Sequence, residues 1–213
     1  MKSSVKNLFL TLSLILTFAS AAVSKEEIPK QMPAVNQKEA PLATGGMDEA
    51  AMTKMKEYAT PNENHKVLDS LVGSWNYTLK WWMAPDSQPE ESTGSSENKW
   101  TLGGRFVEQS VEGTSMGQPF EGIGVTGYDN AKKEYVSTWM DNMATGIFTA
   151  KGMYAPATKA LTESGDFLCP IRGQMSFRWV TKIIDENNYT FESYTNDEKG
   201  KEFKSMEIVY KRR

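Results

Sequence analysis

The chain has 213 residues, six tryptophans, one cysteine, one histidine and a formal net charge of −3 at pH 7. This length fits one domain with a tail, and the acidic balance argues against nucleic acid as a partner, because phosphate backbones attract basic surfaces. One cysteine rules out an intramolecular disulfide, and one cysteine with one histidine rules out the usual Cys/His zinc sites, so we expect no metal and no cofactor.

Residues 1–21 have the pattern of a secretory signal peptide. Two lysines precede an apolar run of eleven residues, Leu8 to Phe18, and small residues end the segment. A membrane-spanning helix needs about 20 apolar residues, so this run is too short for an anchor. We therefore expect export, cleavage near Ala21 or Ser24, no stable membrane insertion after cleavage, and a periplasmic or extracellular location.

Two further segments, residues 22–46 and residues 47–72, precede the strands. The first holds prolines, glutamine, lysine and glutamate but little that can be buried, so we expect a flexible tether. In the second, apolar residues recur at three- and four-residue spacing from Met47 to Ala59, which predicts an amphipathic helix. A second short helix is expected from Glu63 to Leu71, ending at Gly73.

Residues 73–213 change to a period of two, which is typical of strands with one buried face. In the first strand Trp75, Tyr77, Leu79 and Trp81 alternate with polar residues. Turns of Gly, Asn and Asp separate nine further strand-like runs. These runs are residues 91–101, 105–113, 119–128, 135–142, 145–154, 160–167, 175–184, 189–196 and 203–211.

Connections this short favour antiparallel neighbours, and closing ten strands into a barrel removes their exposed edges. The predicted fold is therefore mainly β: an antiparallel up-and-down barrel of about ten strands with one or two short N-terminal helices. A sandwich is the competing arrangement. The methionine-rich first helix is expected either to pack across one barrel mouth as a lid or to bind a partner.

Six short blocks of sequence follow one another over about 150 residues, from His65 to Arg213. They are Leu68–Trp75, Leu102–Phe106, Pro119–Gly124, Gly127–Asp129, Tyr135–Trp139 and Lys201–Glu207. Together they resemble a bacterial family of domains of unknown function with lipocalin-like (calycin) barrels. The resemblance implies a fold and no reaction.

The triplet from Gly73 to Trp75 also resembles the Gly-x-Trp signature that opens the first strand of lipocalins. That resemblance implies that Trp75 plugs the closed end of the barrel and that a basic residue of the last strand packs over its ring. Arg212 has the right alternation for this role. A cation–π contact with stem packing would then stabilise the barrel closure by ~1–2 kcal/mol.

Four residues are the candidates for ligand binding: Arg105, Tyr135, Trp139 and Arg178. The many aromatic residues either line an apolar cavity or fill a core that has no disulfide. The two arginines suit bidentate recognition of a ligand carboxylate inside the barrel; the alternative is an outer face or a satisfied internal pair. Where a bulge interrupts a short strand, alternation alone does not show whether a side chain points into the barrel or to its outer face.

The sequence argues against catalysis without excluding it. No serine lies in a nucleophile-elbow pattern, and the lone His65 precedes the first strand, where it is poorly placed for a triad or for an axial ligand of haem. Cys169 has no neighbouring histidine to activate its thiol. We therefore lean towards a protein that is not an enzyme and assign no catalytic residue.

Three functions remain open. The first is an exported lipocalin-like barrel that binds one small hydrophobic or amphipathic molecule. The second is a filled barrel that acts through its surface as an envelope interaction protein. The third is a barrel enzyme or isomerase with polar residues on its strands. Cavity volume and convergence of polar groups distinguish them, and the oligomeric state is left open.

Overall fold

The computed structural model describes Gly46 and residues 48–213. The expected signal peptide, residues 22–45 of the expected tether and Met47 lie outside the described residues. Within the described part, no helix is long and apolar enough to span a membrane.

The described chain begins with helix α1 (Glu49–Ala59), helix α2 (Glu63–Lys66) and a 3₁₀ helix (Val67–Leu71). The side chain of Asp48 caps α1 by accepting a hydrogen bond from the backbone N–H of Ala51 at 2.7 Å. No residue of α1 is buried. Helix α1 therefore does not cover a barrel mouth as a lid, because its methionines stay in solvent.

Ten strands follow, in agreement with the predicted number. They are β1 (Gly73–Trp81), β2 (Glu90–Thr101), β3 (Phe106–Ser115), β4 (Gln118–Asp129), β5 (Glu134–Asp141), β6 (Phe148–Ala155), β7 (Ala160–Cys169), β8 (Gly173–Asp185), β9 (Asn188–Asn196) and β10 (Glu202–Arg212). Each pairs antiparallel with its sequence neighbours, and β1 also pairs with β10. This last pairing closes the sheet, so the barrel is confirmed and the sandwich alternative was wrong.

The register shows which side chains face the barrel interior. Trp75 lies opposite Arg212 on β10 and opposite Ser96 on β2, so these three residues share the inner face. Close packing inside this wall requires glycine at two positions. A Cβ atom at Gly94 or at Gly113 would collide with the hydroxyl oxygen of Tyr77.

The up-and-down topology gives the barrel two different ends. The end at which β1 begins is covered by α2 and the 3₁₀ helix, and we call it the capped end. Leu68 of the 3₁₀ helix packs there with Val107, Tyr135 and Leu161 from three different strands. The end at which β1 finishes carries the β1–β2, β3–β4, β5–β6, β7–β8 and β9–β10 connections, and we call it the open end.

Side chains of the barrel hold the cap in place by hydrogen bonds to its backbone. Trp75 Nε1 and Asn98 Nδ2 both donate to the carbonyl oxygen of Leu71, at 2.9 and 2.8 Å. Tyr135 Oη donates to the carbonyl oxygen of Asn64 at 2.7 Å. His65 is buried in this cap, where its Nδ1 accepts from the backbone N–H of Asn62 at 3.1 Å. The only histidine therefore has a structural place outside the barrel wall.

Candidate functional site

A group of aromatic side chains lines the inner wall at the open end, and we call it the aromatic cup. Its members come from five consecutive strands, β5 to β9: Trp139, Phe148, Phe167, Phe177, Trp179 and Phe191. Phe148 lies 5.3 Å from Phe167 and 5.9 Å from Phe177 between ring centroids. The series continues from Trp179 to Phe191, whose centroids are 5.8 Å apart.

Glycine in the neighbouring strands lets two of these rings lie flat against the wall. A Cβ atom at Gly122 would collide with the ring of Trp139, and one at Gly124 would approach its Cε3 to 3.2 Å. Likewise, a Cβ atom at Gly165 would come within 2.7 Å of Phe177 Cζ. Gly122, Gly124 and Gly165 thus allow the rings of Trp139 and Phe177 to pack closely on the neighbouring strands.

The cup is open to solvent although its side chains point inwards. Trp139, Phe148, Phe167, Trp179 and Phe191 are only half-buried. At the capped end, by contrast, Trp75 has 0% of its surface exposed. An inward-facing ring inside a closed barrel keeps exposed surface where solvent reaches the lumen beside it, so the aromatic rings of the cup are accessible from the open end.

Glu163 of β7 lies at the floor of this cup. Its neighbours in register are Trp179 on β8 and Gly152 on β6, and Leu161, two residues towards the capped end, belongs to the capped-end core. Only 4% of Glu163 is exposed. Its Oε1 accepts a hydrogen bond from Ser137 Oγ at 2.7 Å, and that hydroxyl also contacts Thr126 Oγ1 at 2.8 Å.

Burial decides the ionisation of this carboxyl group. Loss of hydration raises the pKa of Glu163 to about 7, and the hydrogen bond from Ser137 offsets part of the rise. Glu163 is therefore a carboxyl group that titrates near neutral pH inside the barrel. Groups with such pKa values are concentrated at functional sites.

A second polar group lies across the lumen on β2 and β3. Ser96 Oγ and Asn98 Oδ1 are buried and receive no hydrogen bond within the described part of the chain. Tyr189 Oη accepts from Asn98 Nδ2 and from Gln109 Nε2, both at 3.3 Å. Burial is the main reason that the pKa of Tyr189 lies well above its ordinary value. This side of the interior is packed, since Tyr189 stacks on Tyr210 at 4.2 Å.

Only one of the four candidate ligand-binding residues lines the cup. Trp139 faces the lumen, and its Nε1 donates to Asp141 Oδ2 at 2.8 Å. Tyr135 also points inwards, but it is 2% exposed in the capped-end core, where burial raises its pKa to about 12. Tyr135 therefore stabilises the cap, through its hydrogen bond to Asn64, and does not line the cup.

The two arginines lie outside the lumen, which corrects the expectation that they meet a ligand carboxylate inside the barrel. Arg178 alternates with the inward-facing Trp179, so it points outwards. There it forms an ion pair with Glu202 and lies 3.9 Å above the ring of Tyr194. Arg105 follows the β2–β3 turn and donates from Nη2 to the carbonyl oxygen of Ala59 at 2.7 Å, which ties the end of α1 to the barrel.

The expected contact at the capped end is present. Arg212 Cζ lies 4.1 Å from the centroid of the Trp75 ring. The guanidinium also donates to the carbonyl oxygens of Val72 and Glu186, at 2.9 and 2.8 Å. Trp75 and Arg212 thus join the first strand, the last strand and the cap.

A comparison with protein families decides what kind of chain this is. The model of DUF1579, described as a protein of unknown function, matches residues 60–212. The chain belongs to the DUF1579 family. The matched segment includes α2, the 3₁₀ helix and all ten strands, so the aromatic cup and Glu163 lie within the family domain.

One solved structure shows the same fold as this DUF1579 domain. The crystal structure of Rv2717c from M. tuberculosis has a TM-score of 0.52 and 13% sequence identity, over 72% of this chain and 99% of that chain. At this identity the likeness shows the fold alone.

Two further structures have TM-scores of 0.38. One is a redesigned β-barrel, b11L5F_LGL, with 16% identity over 69% of this chain and 95% of that chain. The other is EF1p2_mFAP2b bound to DFHBI, with 10% identity over 70% of this chain and 98% of that chain. No curated protein matches this chain.

Other surfaces of the DUF1579 domain offer fewer groups suited to binding or catalysis than the cup does. Two open depressions of about 360 and 840 Å³ lie mainly on the outer wall, one across β3 to β5 and one across β1, β2 and β10. Within the described residues, no cluster of three or more His, Cys, Asp or Glu side chains is placed to hold a metal. Backbone N–H groups of Ile171 and Arg172 lower the pKa of the free thiol of Cys169, the last residue of β7.

Glu163 is the site residue that the sequence analysis missed. A signal for it was present, since Glu163 shares a period of two with Leu161, Gly165 and Phe167, and the two large residues of this series are apolar. A charged residue within an inward-facing series is unusual. Glu163 was therefore a better candidate for a functional or paired position than Arg105 or Arg178, whose orientation the sequence did not determine.

Proposed function

We propose that this protein is a binding barrel that takes one small hydrophobic or amphipathic molecule into the aromatic cup. The observation that supports the proposal is the exposed surface that most of the inward-facing rings on β5 to β9 keep. Exposed aromatic surface inside a closed wall gains free energy when a ligand displaces water from it, at about 25 cal/mol per Å² of apolar area. Aromatic lining with few polar groups is typical of small-molecule sites.

The open-end rim supports the same function. Apolar side chains from four separate connections project into solvent around the mouth: Met83, Met116, Ile147 and Ile171. Ile171 is 92% exposed and Met83 72%. Such a rim offers an apolar ligand a continuous path from the surface into the cup. The capped end offers no comparable path, because α2 and the 3₁₀ helix cover it.

A lumen-filling variant tests the proposal. Ser193 of β9 faces the lumen between Trp179 and Met206, so Ser193→Trp should occupy the cup. Ser164 of β7 points to solvent, and Ser164→Trp is the matched control on the outer wall. Titration with the neutral fluorescent probe N-phenyl-1-naphthylamine should show saturable binding to the wild type and to Ser164→Trp. Binding to Ser193→Trp should be at least about tenfold weaker, which corresponds to a loss of about 1.4 kcal/mol.

Equal probe binding by both tryptophan variants would contradict a site in the cup, because the outer substitution leaves the lumen unchanged. Absence of binding in the wild type would favour the filled barrel that acts through its surface. Melting curves of the three proteins check that the substitutions leave the fold intact.

We also propose that the barrel works outside the cytoplasm, in the periplasm or in the medium. The basic start and the short apolar run within residues 1–21 support this location. Cell fractionation with N-terminal sequencing of the mature protein tests it. A mature chain that begins near residue 22 in the exported fraction is the expected result, and an uncleaved cytoplasmic chain would contradict it.

A further inference from the structure

We propose that Glu163 is the polar anchor of the cup and that the ligand is an apolar amine, bound with its ammonium group against the Glu163 carboxylate. This inference rests on the proposed function and names the class of ligand. It follows from three features of the inner wall: a buried carboxyl group with a free oxygen, the lack of a charged neighbour, and an aromatic lining above it.

The carboxyl group is only partly satisfied by the protein. Its Oε1 is held by Ser137 Oγ at 2.7 Å, and no hydrogen bond from another described residue reaches Oε2. Burying an ionised carboxyl group costs several kcal/mol unless a partner compensates it. A donor on a ligand would supply the missing partner at Oε2.

Among the residues that the structure describes, none provides a cation for this carboxylate. Its neighbours across the wall are Ser137 on β5, Gly152 on β6 and Trp179 on β8, and all three are uncharged. Towards the capped end lie the tyrosines Tyr135 and Tyr154, which pack in the capped-end core. Burial raises the pKa of Tyr135 to about 12, so its hydroxyl group stays neutral near pH 7.

Lys151 on β6 and Lys182 on β8 are exposed on the outer wall, and three further charged groups of the barrel have partners of their own. Arg212 is bound over Trp75 at the capped end. Asp141, near the mouth, accepts from Trp139 Nε1 and from the backbone N–H of Met143. Arg178 lies on the outer wall with Glu202. A cation that meets Glu163 must therefore come from outside the described chain.

The aromatic lining of the cup favours an ammonium group over an uncharged hydrogen-bond donor. Aromatic faces attract cations, and the attraction grows when water is displaced. Trp179 is the neighbour of Glu163 in register, and its ring lies 4.5 Å from that of Phe177 between centroids. An alkyl- or arylammonium ion would place its charge between the carboxylate and these rings, with its apolar part among the rings of the cup.

The test compares three ligands with the same chain length and different head groups. Isothermal titration at pH 8 uses 1-octylamine, 1-octanol and octanoate with the wild type, Glu163→Gln and Glu121→Gln. Glutamine at position 163 keeps the shape and an acceptor for Ser137 Oγ. Glu121 is exposed on the outer wall, so its substitution removes the same charge without touching the lumen.

For the wild type and Glu121→Gln, octylamine should bind at least about tenfold more tightly than octanol or octanoate, because only its ammonium group gives the Glu163 carboxylate a charge-assisted hydrogen bond. Glu163→Gln should lose this preference while its affinity for octanol stays the same. Lowering the pH from 8 to 5 should weaken octylamine binding and leave octanol binding unchanged, since protonation removes the charge on Glu163.

Three outcomes would overturn the inference. Octylamine that binds no better than octanol, or a preference that survives in Glu163→Gln, would refute an amine anchor. The cup would still stand in either case if octanol binding were lost in Ser193→Trp. Failure of all three ligands to bind the wild type would refute both the amine and the cup.

Discussion

The two ends of this barrel are built from the same ten strands but differ in how their inward-facing side chains are buried. At the capped end the polar tips of large side chains bond to the cap, as when Trp75 Nε1 donates to the carbonyl oxygen of Leu71. At the open end, rings of similar size meet no cap and keep exposed surface inside the wall. Alternation along each strand therefore decides which residues face inwards. The presence or absence of a cap decides which of these residues are buried in a core and which keep exposed surface.

The largest expected effect distinguishes the two ends by stability. Trp75→Ala should lower the free energy of unfolding by about 3–5 kcal/mol, because it removes a fully buried ring and leaves a cavity. Trp179→Ala is the matched control at the open end, where a half-exposed ring should cost about 1–2 kcal/mol. Urea unfolding of both variants gives the two values, and equal losses would contradict the division into a core end and a cavity end.

The next effect concerns the carboxyl group at the boundary between the ends. The pKa of Glu163 is about 7 in the folded chain, against an ordinary value of 4.5. Between these values the folded state holds a proton that the unfolded state has lost, so stability should fall as the pH rises from about 4.5 to 7. The total loss should be about 3 kcal/mol and should level off above pH 7.

Urea unfolding across this pH range measures the loss, with Glu163→Gln as the comparison. The difference between the two proteins should change by the stated amount, because glutamine does not titrate. Parallel curves would mean that Glu163 is hydrated in the folded chain and is not buried at the floor of the cup.

A smaller effect is expected from the clamp between the first and last strands. Arg212→Met keeps the apolar stem but removes the charge over Trp75 and the bonds to Val72 and Glu186. Thermal or urea unfolding should show a loss of about 1–2 kcal/mol. The neighbouring Arg213→Met removes only an exposed ion pair with Glu97 and should cost less than about 0.5 kcal/mol. A reversed order would contradict the clamp.

The smallest effect is expected on the outer wall. Arg178→Gln removes a partly exposed ion pair with Glu202, so it should lower stability by less than about 1 kcal/mol. Binding of N-phenyl-1-naphthylamine should stay unchanged, because Arg178 does not face the lumen. A large loss of probe binding in this variant would contradict this placement and would indicate that Arg178 belongs to the ligand site.

Most of the fold could be predicted from the sequence, because period-two alternation and turn residues act locally. Most strand ends lie within two residues of their predicted positions. The β6 start is an exception, predicted at Thr145 and observed at Phe148. Asp141 and Asn142 account for this shift, since their side chains bind the backbone of Met143 and Pro119 and hold the preceding loop.

The site could be predicted only in part, because it depends on contacts between distant segments. Trp139 follows from alternation, but the burial of Tyr135 depends on the carbonyl oxygen of Asn64, 71 residues earlier. The orientation of Arg178 depends on the register between β8 and β9. Local patterns do not contain these relations.

The central claim is that a ligand enters the open end and leaves the capped end undisturbed. The indole N–H resonances of the protein, followed by NMR during titration with 1-octanol, test this within one molecule. The account predicts shifts for Trp139 and Trp179 and none for Trp75 and Trp100. Indoles that all stay unmoved, or capped-end indoles that move as much as those of the cup, would contradict it.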